Sequence, residues 1–164
     1  MHQKPSRSPG ARYAIVEPMF RKLLATPNDW ALTLLRLAAG GMILAHGLQK
    51  TFGWFDGPGF SAQMAGFESG GIPAVFAFLA IMAEFLGGIG LIIGALTRIA
   101  AFGLAVNMLV AVKMFNWANG FFMNWNGRHK GEGFEFHLLA ITIAIVLMAK
   151  GAGALSVDRA LAKN

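Results

Sequence analysis

The sequence predicts an all-α integral membrane protein that folds as an antiparallel four-helix bundle. The first observation is composition: 55% of the residues are hydrophobic and 13% are charged, whereas a soluble domain carries about 25% charged residues. The second is the presence of four apolar runs, each within the range of about 17–25 residues that crosses a bilayer as a helix. At 164 residues, the chain is long enough for one such domain.

The composition also narrows the partners of the protein. The chain contains no cysteine, so it forms neither disulfides nor a CxxC redox pair, and it has no thiolate metal ligands. A redox role would therefore depend on a bound cofactor or on a partner protein. The net charge is +6, but most basic residues flank apolar runs, where anionic lipid head groups are the natural counter-charge. We expect the lipid bilayer as a partner and no nucleic acid.

The N-terminal part, residues 1–29, precedes the membrane domain of residues 30–164. Residues 1–12 are rich in Pro, Ser and Arg and contain no apolar run that could form a signal core, so we predict a disordered cytoplasmic tail. In residues 18–25, apolar residues recur at the i, i+1, i+4 and i+5 positions beside two basic residues: Met19, Phe20, Leu23 and Leu24 beside Arg21 and Lys22. This pattern predicts a short amphipathic helix in the head-group region, and the polar-faced end of a longer helix is an equally good interpretation.

The first two membrane spans are predicted at residues 30–50 and 73–96. Asn28 or Asp29 can cap the first span, and Pro73 suits the first residue of the second. Residues 52–71 between them are rich in Gly and aromatic residues and are predicted to form a loop.

The third and fourth spans are predicted at residues 98–115 and 134–150. Only the short turn Thr97-Arg98 separates the second span from the third, so these two helices must lie antiparallel. A second Gly- and aromatic-rich loop is predicted at residues 116–133. Gly151 and Gly153 are predicted to end the fourth span, before a short amphipathic tail at residues 155–161.

The distribution of basic residues predicts the orientation of the bundle. Nine Lys and Arg residues lie on the side of the two termini and four on the opposite side. Because cytoplasmic segments carry the excess of basic residues, both termini are predicted to be cytoplasmic. Aromatic residues of the two loops would then form a belt at the outer interface: Trp54, Phe55, Trp117, Phe121, Phe122 and Trp125.

The second span contains small residues at which helices can approach closely. They include Gly87 and Gly88, and Gly90 and Gly94 form a GxxxG pattern. Such patterns favour close contact between membrane helices. We predict packing within the bundle, and a homodimer contact is the alternative.

Polar residues predict a pocket in the outer leaflet. His46 and Lys50 are four residues apart and share one face of the first span, while Lys113, Glu135 and His137 belong to the same level of the third and fourth spans. Lys50 and Lys113 would oppose Glu135, with the two histidines nearby. Snorkelling anchors remain the alternative for the lysines, and a packing role remains open for His46. These His and Glu residues lack a metal-ligand spacing, so no metal site is predicted.

Glu84 is predicted near the middle of the membrane, where a carboxylate must be protonated or paired. Asn107 lies at a similar depth on the adjoining helix and can hydrogen-bond it. Arg36 either reaches up towards Glu84 or snorkels to the inner head groups. Arg98 is interpreted as a determinant of topology only.

Six motifs together resemble the DoxX family of small membrane proteins: Leu35-Arg36-Leu37, the stretch from His46 to Lys50 with Phe52-Gly53, Glu84-Phe85-Leu86-Gly87-Gly88, Thr97-Arg98, Asn119-Gly120-Phe121-Phe122 and Gly133-Phe134-Glu135-Phe136. The resemblance implies four spans in the bacterial inner membrane. It also implies a link to thiosulfate oxidation that passes electrons to quinone, or to membrane complexes that handle thiol and oxidative stress. The family motif carries over to particular residues without assigning a catalytic role to any of them: Arg36, His46, Gln49, Lys50, Glu84, Arg98, Asn119 and Glu135.

Three functions fit these residues. The leading hypothesis is a membrane subunit of a quinone-linked or redox-stress oxidoreductase system, with quinone as the bound molecule and no covalently bound cofactor. His46 or Lys50 would donate to a quinone carbonyl, and Glu84 or Glu135 would move protons. A structural or assembly subunit of a larger membrane complex is the alternative, and a small-solute transporter that works as a homo-oligomer is the third. The candidate ligand-binding residues are His46, Gln49, Lys50, Glu84, Asn107, Lys113, Asn119, Glu135 and His137.

Overall fold

Helices make up all the regular structure in residues 20–162, the part of the chain that the computed structural model describes. The predicted all-α class is confirmed for this part. Residues 20–24 are helical, and the rest of the predicted N-terminal tail and amphipathic helix lies outside the described residues. Six helices follow, numbered here α1 to α6: Trp30–Phe52, Gly59–Ser69, Ala74–Ile93, Thr97–Ala111, Glu135–Lys150 and Val157–Ala162.

Within residues 20–162, three helical segments are long and apolar enough to cross a membrane. They are α1 with 23 residues, α3 with 20 residues, and the 23 residues of Thr97–Asn119, in which a π-helical turn at Val112–Asn116 and a 3-10 turn at Trp117–Asn119 continue α4. The α5 helix has 16 residues, which corresponds to about 24 Å at 1.5 Å per residue. Its role as a fourth span stays a prediction.

Helix α1 begins and ends at local signals. The Asp29 side chain caps its first turn, since Oδ1 accepts hydrogen bonds from the backbone N of Ala31 at 2.8 Å and of Leu32 at 3.3 Å. At the other end Gly53 has a φ of 73°, a conformation that glycine adopts without strain. The predicted cap is confirmed, and the helix ends two residues later than predicted.

The predicted loop at residues 52–71 is wrong, because α2 (Gly59–Ser69) lies within it. Aromatic side chains hold this helix on its neighbours. Phe60 contacts Phe78 of α3 edge to face, with ring centroids 6.3 Å apart, and Phe67 stacks on Phe115 at 6.2 Å. The glycines that favoured a loop lie mostly at the ends of this helix, so its interior is free to be helical.

The turn between α3 and α4 lies earlier than predicted. Helix α3 ends at Ile93, Gly94 and Leu96 have positive φ angles of 69° and 49°, and α4 already begins at Thr97. The carboxylate of Asp158 accepts from the backbone N of Leu96 at 2.7 Å and of Thr97 at 2.9 Å. A cap supplied by the distant C-terminal segment therefore determines where α4 starts.

The last elements differ only slightly from the prediction. The α-helical part of α4 ends at Ala111 instead of residue 115, and α5 starts at Glu135. Gly151 and Gly153 follow α5 with φ angles of 87° and 86°, which confirms them as its end.

Helices α1 and α3 pack closely and run antiparallel. A Cβ atom on Gly47 would lie 2.6 Å from the Cα of Phe85, and one on Gly88 would lie 2.8 Å from the Cα of Leu44. Further along, Gly40 approaches the backbone of Ile92 in the same way. Helix α4 packs against α3 and α5, and α5 also contacts α1. The four helices thus enclose an apolar core that includes Ile43, Leu91, Leu104, Ala144 and Leu147.

The glycines of the predicted packing motif make contacts within the chain. A Cβ atom on Gly90 would lie 3.1 Å from the carbonyl oxygen of Ala95, and one on Gly94 would lie 2.4 Å from Cβ of Ser156. Gly87 is less crowded, since its nearest neighbour would be 3.9 Å away. The predicted close contact between helices is therefore present at Gly88, whereas Gly90 and Gly94 are crowded by the turn after α3 and by the C-terminal segment.

Candidate functional site

An ion pair joins α1 to α3 inside the helix bundle. Lys50 Nζ lies 2.5 Å from Oε1 and 2.6 Å from Oε2 of Glu84. The side chain of Glu84 is 4% exposed and that of Lys50 is 22% exposed. The close approach of the helices at Gly47, one helical turn before Lys50, brings the ammonium group onto α3. The predicted opposition of Lys50 to Glu135 is wrong for this reason.

Asn107 of α4 completes the network. Its Nδ2 donates to Glu84 Oε1 at 2.9 Å and to the carbonyl oxygen of Ala80 at 3.3 Å. The predicted hydrogen bond between Asn107 and Glu84 is confirmed. Lys50, Glu84 and Asn107, here called the polar triad, connect three helices and satisfy a carboxylate that would be costly to bury alone.

Glu135 and Lys113 lie apart from the polar triad. Glu135 Oε1 accepts from the backbone N of Met123 at 3.0 Å and from Nε1 of Trp125 at 3.3 Å. The backbone N of Glu135 donates to the carbonyl oxygen of Phe121 at 2.9 Å. This hydrogen bond holds the loop before α5 next to the Glu135 side chain. Lys113 is exposed, and no ion pair involving it is found among residues 20–162. The predicted pairing of Lys113 with Glu135 is therefore wrong.

The two histidines lie close to each other and to Lys50. The ring of His46 is 6.5 Å from that of Phe136, which is 5.6 Å from that of His137. His46 and Lys50 are four residues apart on α1, so they share one face of that helix. His46 is exposed, while Nδ1 of His137 is buried and has no hydrogen-bond partner in the described part of the chain. The predicted proximity of His46 and His137 to Lys50 is thus present. The counter-charge of Lys50 is Glu84, not the predicted Glu135.

Gln49 and Asn119, two further candidates, support loops. Gln49 Nε2 donates to the carbonyl oxygen of Phe55 at 3.3 Å, in the turn after α1. Asn119 Nδ2 donates to the carbonyl oxygens of Phe115 at 3.2 Å and Glu132 at 3.0 Å. These contacts give both amides a role in shaping the end of the bundle that lies near the polar triad.

An apolar groove of about 600 Å³ lies between α3 and α4. Its less exposed lining residues are Ile72, Ala80, Ala83, Gly103 and Asn107, and all of them except Ile72 are small or polar. Exposed side chains such as Phe76 and Phe102 form its rim. Asn107 thus connects the groove to the polar triad. Sequence reasoning missed this groove, and the one available signal was the small residues that face each other on the two helices.

Arg36 follows neither of its two predicted alternatives. It is 1% exposed, and its guanidinium donates to backbone carbonyls: Nε to Ala152 at 2.9 Å, Nη1 to Ile92 at 2.5 Å and to Leu91, and Nη2 to Leu155. The carbonyl end of α3 and the segment after α5 carry the partial negative charge that attracts this cation. Arg36 therefore binds the C-terminal segment to the bundle.

Arg98 also has more than a topological role. Its guanidinium donates to the carbonyl oxygens of Ala149 at 2.9 Å, Met148, and Ala25 at 3.1 Å. It therefore satisfies carbonyls at the C-terminal end of α5, where a cation is favourable. The interpretation of Arg98 as a determinant of topology only is wrong.

The polar triad and Arg36 fall within a recognised family domain. The DoxX family model matches residues 31–117, which is more than half of the chain. The chain belongs to the DoxX family. The resemblance found in the sequence motifs is confirmed, and the matched region contains α3, α4 and all of α1 except its first residue, with all three residues of the polar triad.

Two other membrane proteins are similar to this DoxX-family chain. The uncharacterized membrane protein Rv3486 of Mycobacterium tuberculosis is 32% identical over 161 residues, which cover 90% of this chain and 91% of that protein. The inner membrane protein YqjF of Escherichia coli is 33% identical over 116 residues, which cover 70% of this chain and 83% of that protein. No solved structure matches the chain. Together with three helices suited to crossing a bilayer, these relatives establish a membrane protein.

Proposed function

We propose that this DoxX-family protein is a subunit of the bacterial inner membrane that binds a quinone and serves a quinone-linked or redox-stress oxidoreductase system. The observation that carries the proposal is the polar triad, in which a buried carboxylate is paired inside helices that are apolar enough to lie in a membrane. Ionisable groups in such helices are retained mainly for function. The name of the Escherichia coli relative supports the inner membrane as the location.

A four-span arrangement is part of this proposal, with α5 as the fourth span. Arg98 at the start of α4 contacts Met148 and Ala149 near the end of α5, which indicates that α5 returns along α4. The segment after α5 then reaches Arg36 near the start of α1. About 24 Å of helix can cross the membrane where the bilayer thins locally or where flanking residues extend the span.

The polar triad offers the chemistry that a quinone head group needs. The carbonyl oxygens of a quinone accept hydrogen bonds, and a lysine ammonium group has three donors. Two of the contacts made by Lys50 go to Glu84, and the ammonium also lies 5.9 Å from the centroid of the Phe67 ring. In this proposal the third N–H, which has no hydrogen-bond partner among the described residues, donates to a ligand. Glu84 is the candidate for proton exchange, because it is the carboxylate in direct contact with the ammonium group that donates to the ligand.

The test is to purify the protein from its native membrane in a mild detergent and measure the quinone that remains bound. Lys50→Met removes the donor, and Glu68→Gln, an exposed residue of α2, is the control. We expect wild type and E68Q to retain quinone. K50M should retain at least about tenfold less quinone, because it loses a hydrogen bond from a charged group. Full retention by folded K50M, or no quinone in wild type, would contradict the proposal.

A structural or assembly role in a larger membrane complex is the second candidate function. It is favoured by the exposed aromatic side chains near the outer end: Trp117 is 67% exposed, Phe122 69% and Trp125 83%. Aromatic residues of this kind belong either to a membrane interface or to a contact with a partner. If the second role applies, Trp125→Ala should release a co-purifying partner while the quinone content stays unchanged.

A further inference from the structure

We infer that the groove between α3 and α4 is a docking site for the reduced, hydroxyl-bearing form of a quinone, with the side-chain oxygen of Asn107 as its hydrogen-bond acceptor. The inference rests on the proposed function and adds the site of entry and the redox form. The groove has a volume of about 600 Å³, and its lining is apolar except for Asn107.

The orientation of the Asn107 amide follows from its neighbours. The carbonyl oxygen of Ala80 and the carboxylate oxygen of Glu84 both lie within hydrogen-bond distance of one end of the amide. Both neighbours are acceptors, so the NH₂ group must face them. The other end is therefore the oxygen, and none of residues 20–162 donates a hydrogen bond to it. An acceptor without a partner is thus available at the apolar groove.

The side-chain oxygen of Asn107, which has no partner in the described residues, favours a ligand that carries a hydrogen-bond donor. The two carbonyl oxygens of a quinone are acceptors, so they gain nothing from Asn107 Oδ1, whereas a quinol hydroxyl can donate to it. A phospholipid head group is a poorer fit, because its phosphate would meet no cationic side chain in the lining. The lining chemistry therefore suits an apolar molecule that carries a hydroxyl group.

The shape of the groove suits a flat ring. The less exposed lining contains Ala80, Ala83 and Gly103, which leave the helix backbones open to close approach. The rings of Phe76 and Phe102 are 61% and 56% exposed at the rim and can pack on an aromatic ligand. The outward exposure of these rim residues in helices suited to a bilayer gives a membrane-soluble molecule direct lateral access.

The test compares three probes and three variants. The probes are a short-tailed quinol, the corresponding quinone, and the dimethyl ether of the quinol, which keeps the ring and the tail and lacks the hydroxyl donors. Val106→Trp fills the groove, since Val106 lines it. Leu109→Trp is the control, because Leu109 is a similarly exposed residue of α4 outside the lining. Binding is measured on the purified full-length protein in detergent micelles.

We expect wild type and L109W to bind the quinol about threefold to tenfold more tightly than the ether, the effect of one hydrogen bond. V106W should weaken quinol binding by about tenfold or more, the effect of a filled site. Asn107→Leu should bring the two probes to equal affinity. Because this ratio compares two ligands on the same protein, it is independent of any general loss of stability.

The outcomes separate this inference from the proposed function. If V106W binds quinol and quinone as tightly as wild type does, the groove is not the site. The proposed function, quinone binding elsewhere in the protein, would then stand. If quinol and ether bind wild type equally, Asn107 is not the acceptor and the inference is overturned. If wild type binds none of these molecules, the inference and the proposed function both fail.

Discussion

Glu84 depends on two neighbours for its charge. It is buried in α3, and it receives hydrogen bonds from Lys50 at 2.5 Å and Asn107 at 2.9 Å. Removing one member of a buried pair leaves an uncompensated charge, while replacing the whole pair with apolar groups is often neutral. The polar triad is therefore a point at which single and double substitutions should behave differently.

We expect Lys50→Met to destabilise the protein by about 3–5 kcal/mol, the range for a buried pair that loses one partner. The double variant Lys50→Met/Glu84→Met should recover most of this loss, because no buried carboxylate remains. Thermal unfolding of the purified protein in detergent, followed by circular dichroism, measures both. Equal stability of K50M and wild type would show that the ion pair contributes little.

The contact between α1 and α3 depends on glycines that the two helices share. Gly40 and Gly47 on α1 and Gly88 on α3 leave no room for a Cβ atom against the facing helix. The sequence motif drew attention to the glycines of α3, whereas those of α1 are equally crowded. This contact also places Lys50 within reach of Glu84, so packing and the polar triad depend on each other.

We expect Gly47→Ala to destabilise the protein by about 1–3 kcal/mol through overpacking, because its Cβ would lie 2.6 Å from the Cα of Phe85. Gly41→Ala on the same helix is the control, since no heavy atom lies within 4 Å of its added Cβ. G41A should be neutral or slightly stabilising, because alanine favours a helix over glycine. Thermal unfolding in detergent distinguishes the two, and equal midpoints would refute the close contact.

Helix α2 shows where local patterns mislead. Its glycines and aromatic residues favoured a loop, yet Phe60 and Phe67 contact Phe78 and Phe115 on neighbouring elements. None of its residues is buried, so no apolar stripe of the usual width marks it in the sequence. Its position became clear only from these ring contacts.

The C-terminal segment joins several helices at one end of the molecule. Arg36 of α1 binds its backbone carbonyls, and Asp158 caps the start of α4. Arg98 binds the end of α5 and the carbonyl oxygen of Ala25 at the same end. Because basic residues cluster on this side, we propose that it faces the cytoplasm.

Single cysteines test this orientation, since the natural chain has none. Arg128→Cys lies in the loop before α5, where residue 128 is exposed, and Ser8→Cys lies in the N-terminal part. A membrane-impermeant maleimide should label R128C in intact spheroplasts and label S8C only after the membrane is permeabilised. Labelling of S8C in intact spheroplasts, with R128C protected, would invert the proposed orientation.

Local patterns in the sequence were sufficient for the helices that end at local signals. The apolar runs, the Asp29 cap and the glycines after α5 depend on neighbours within a few residues, so they can be read along the chain. The presence of Glu84 and its bond to Asn107 were also predictable, because a buried carboxylate must find a partner at its own depth.

Tertiary structure decided which partner each remaining polar group takes. Lys50 pairs with Glu84 because Gly47 allows α1 to approach α3 closely. Arg36 donates to a backbone carbonyl of a segment that is more than a hundred residues away in the sequence. The groove beside Asn107 likewise arises from small residues on two helices. These features depend on the rotation and spacing of packed helices, which are set by contacts distant in sequence and are therefore absent from any local pattern.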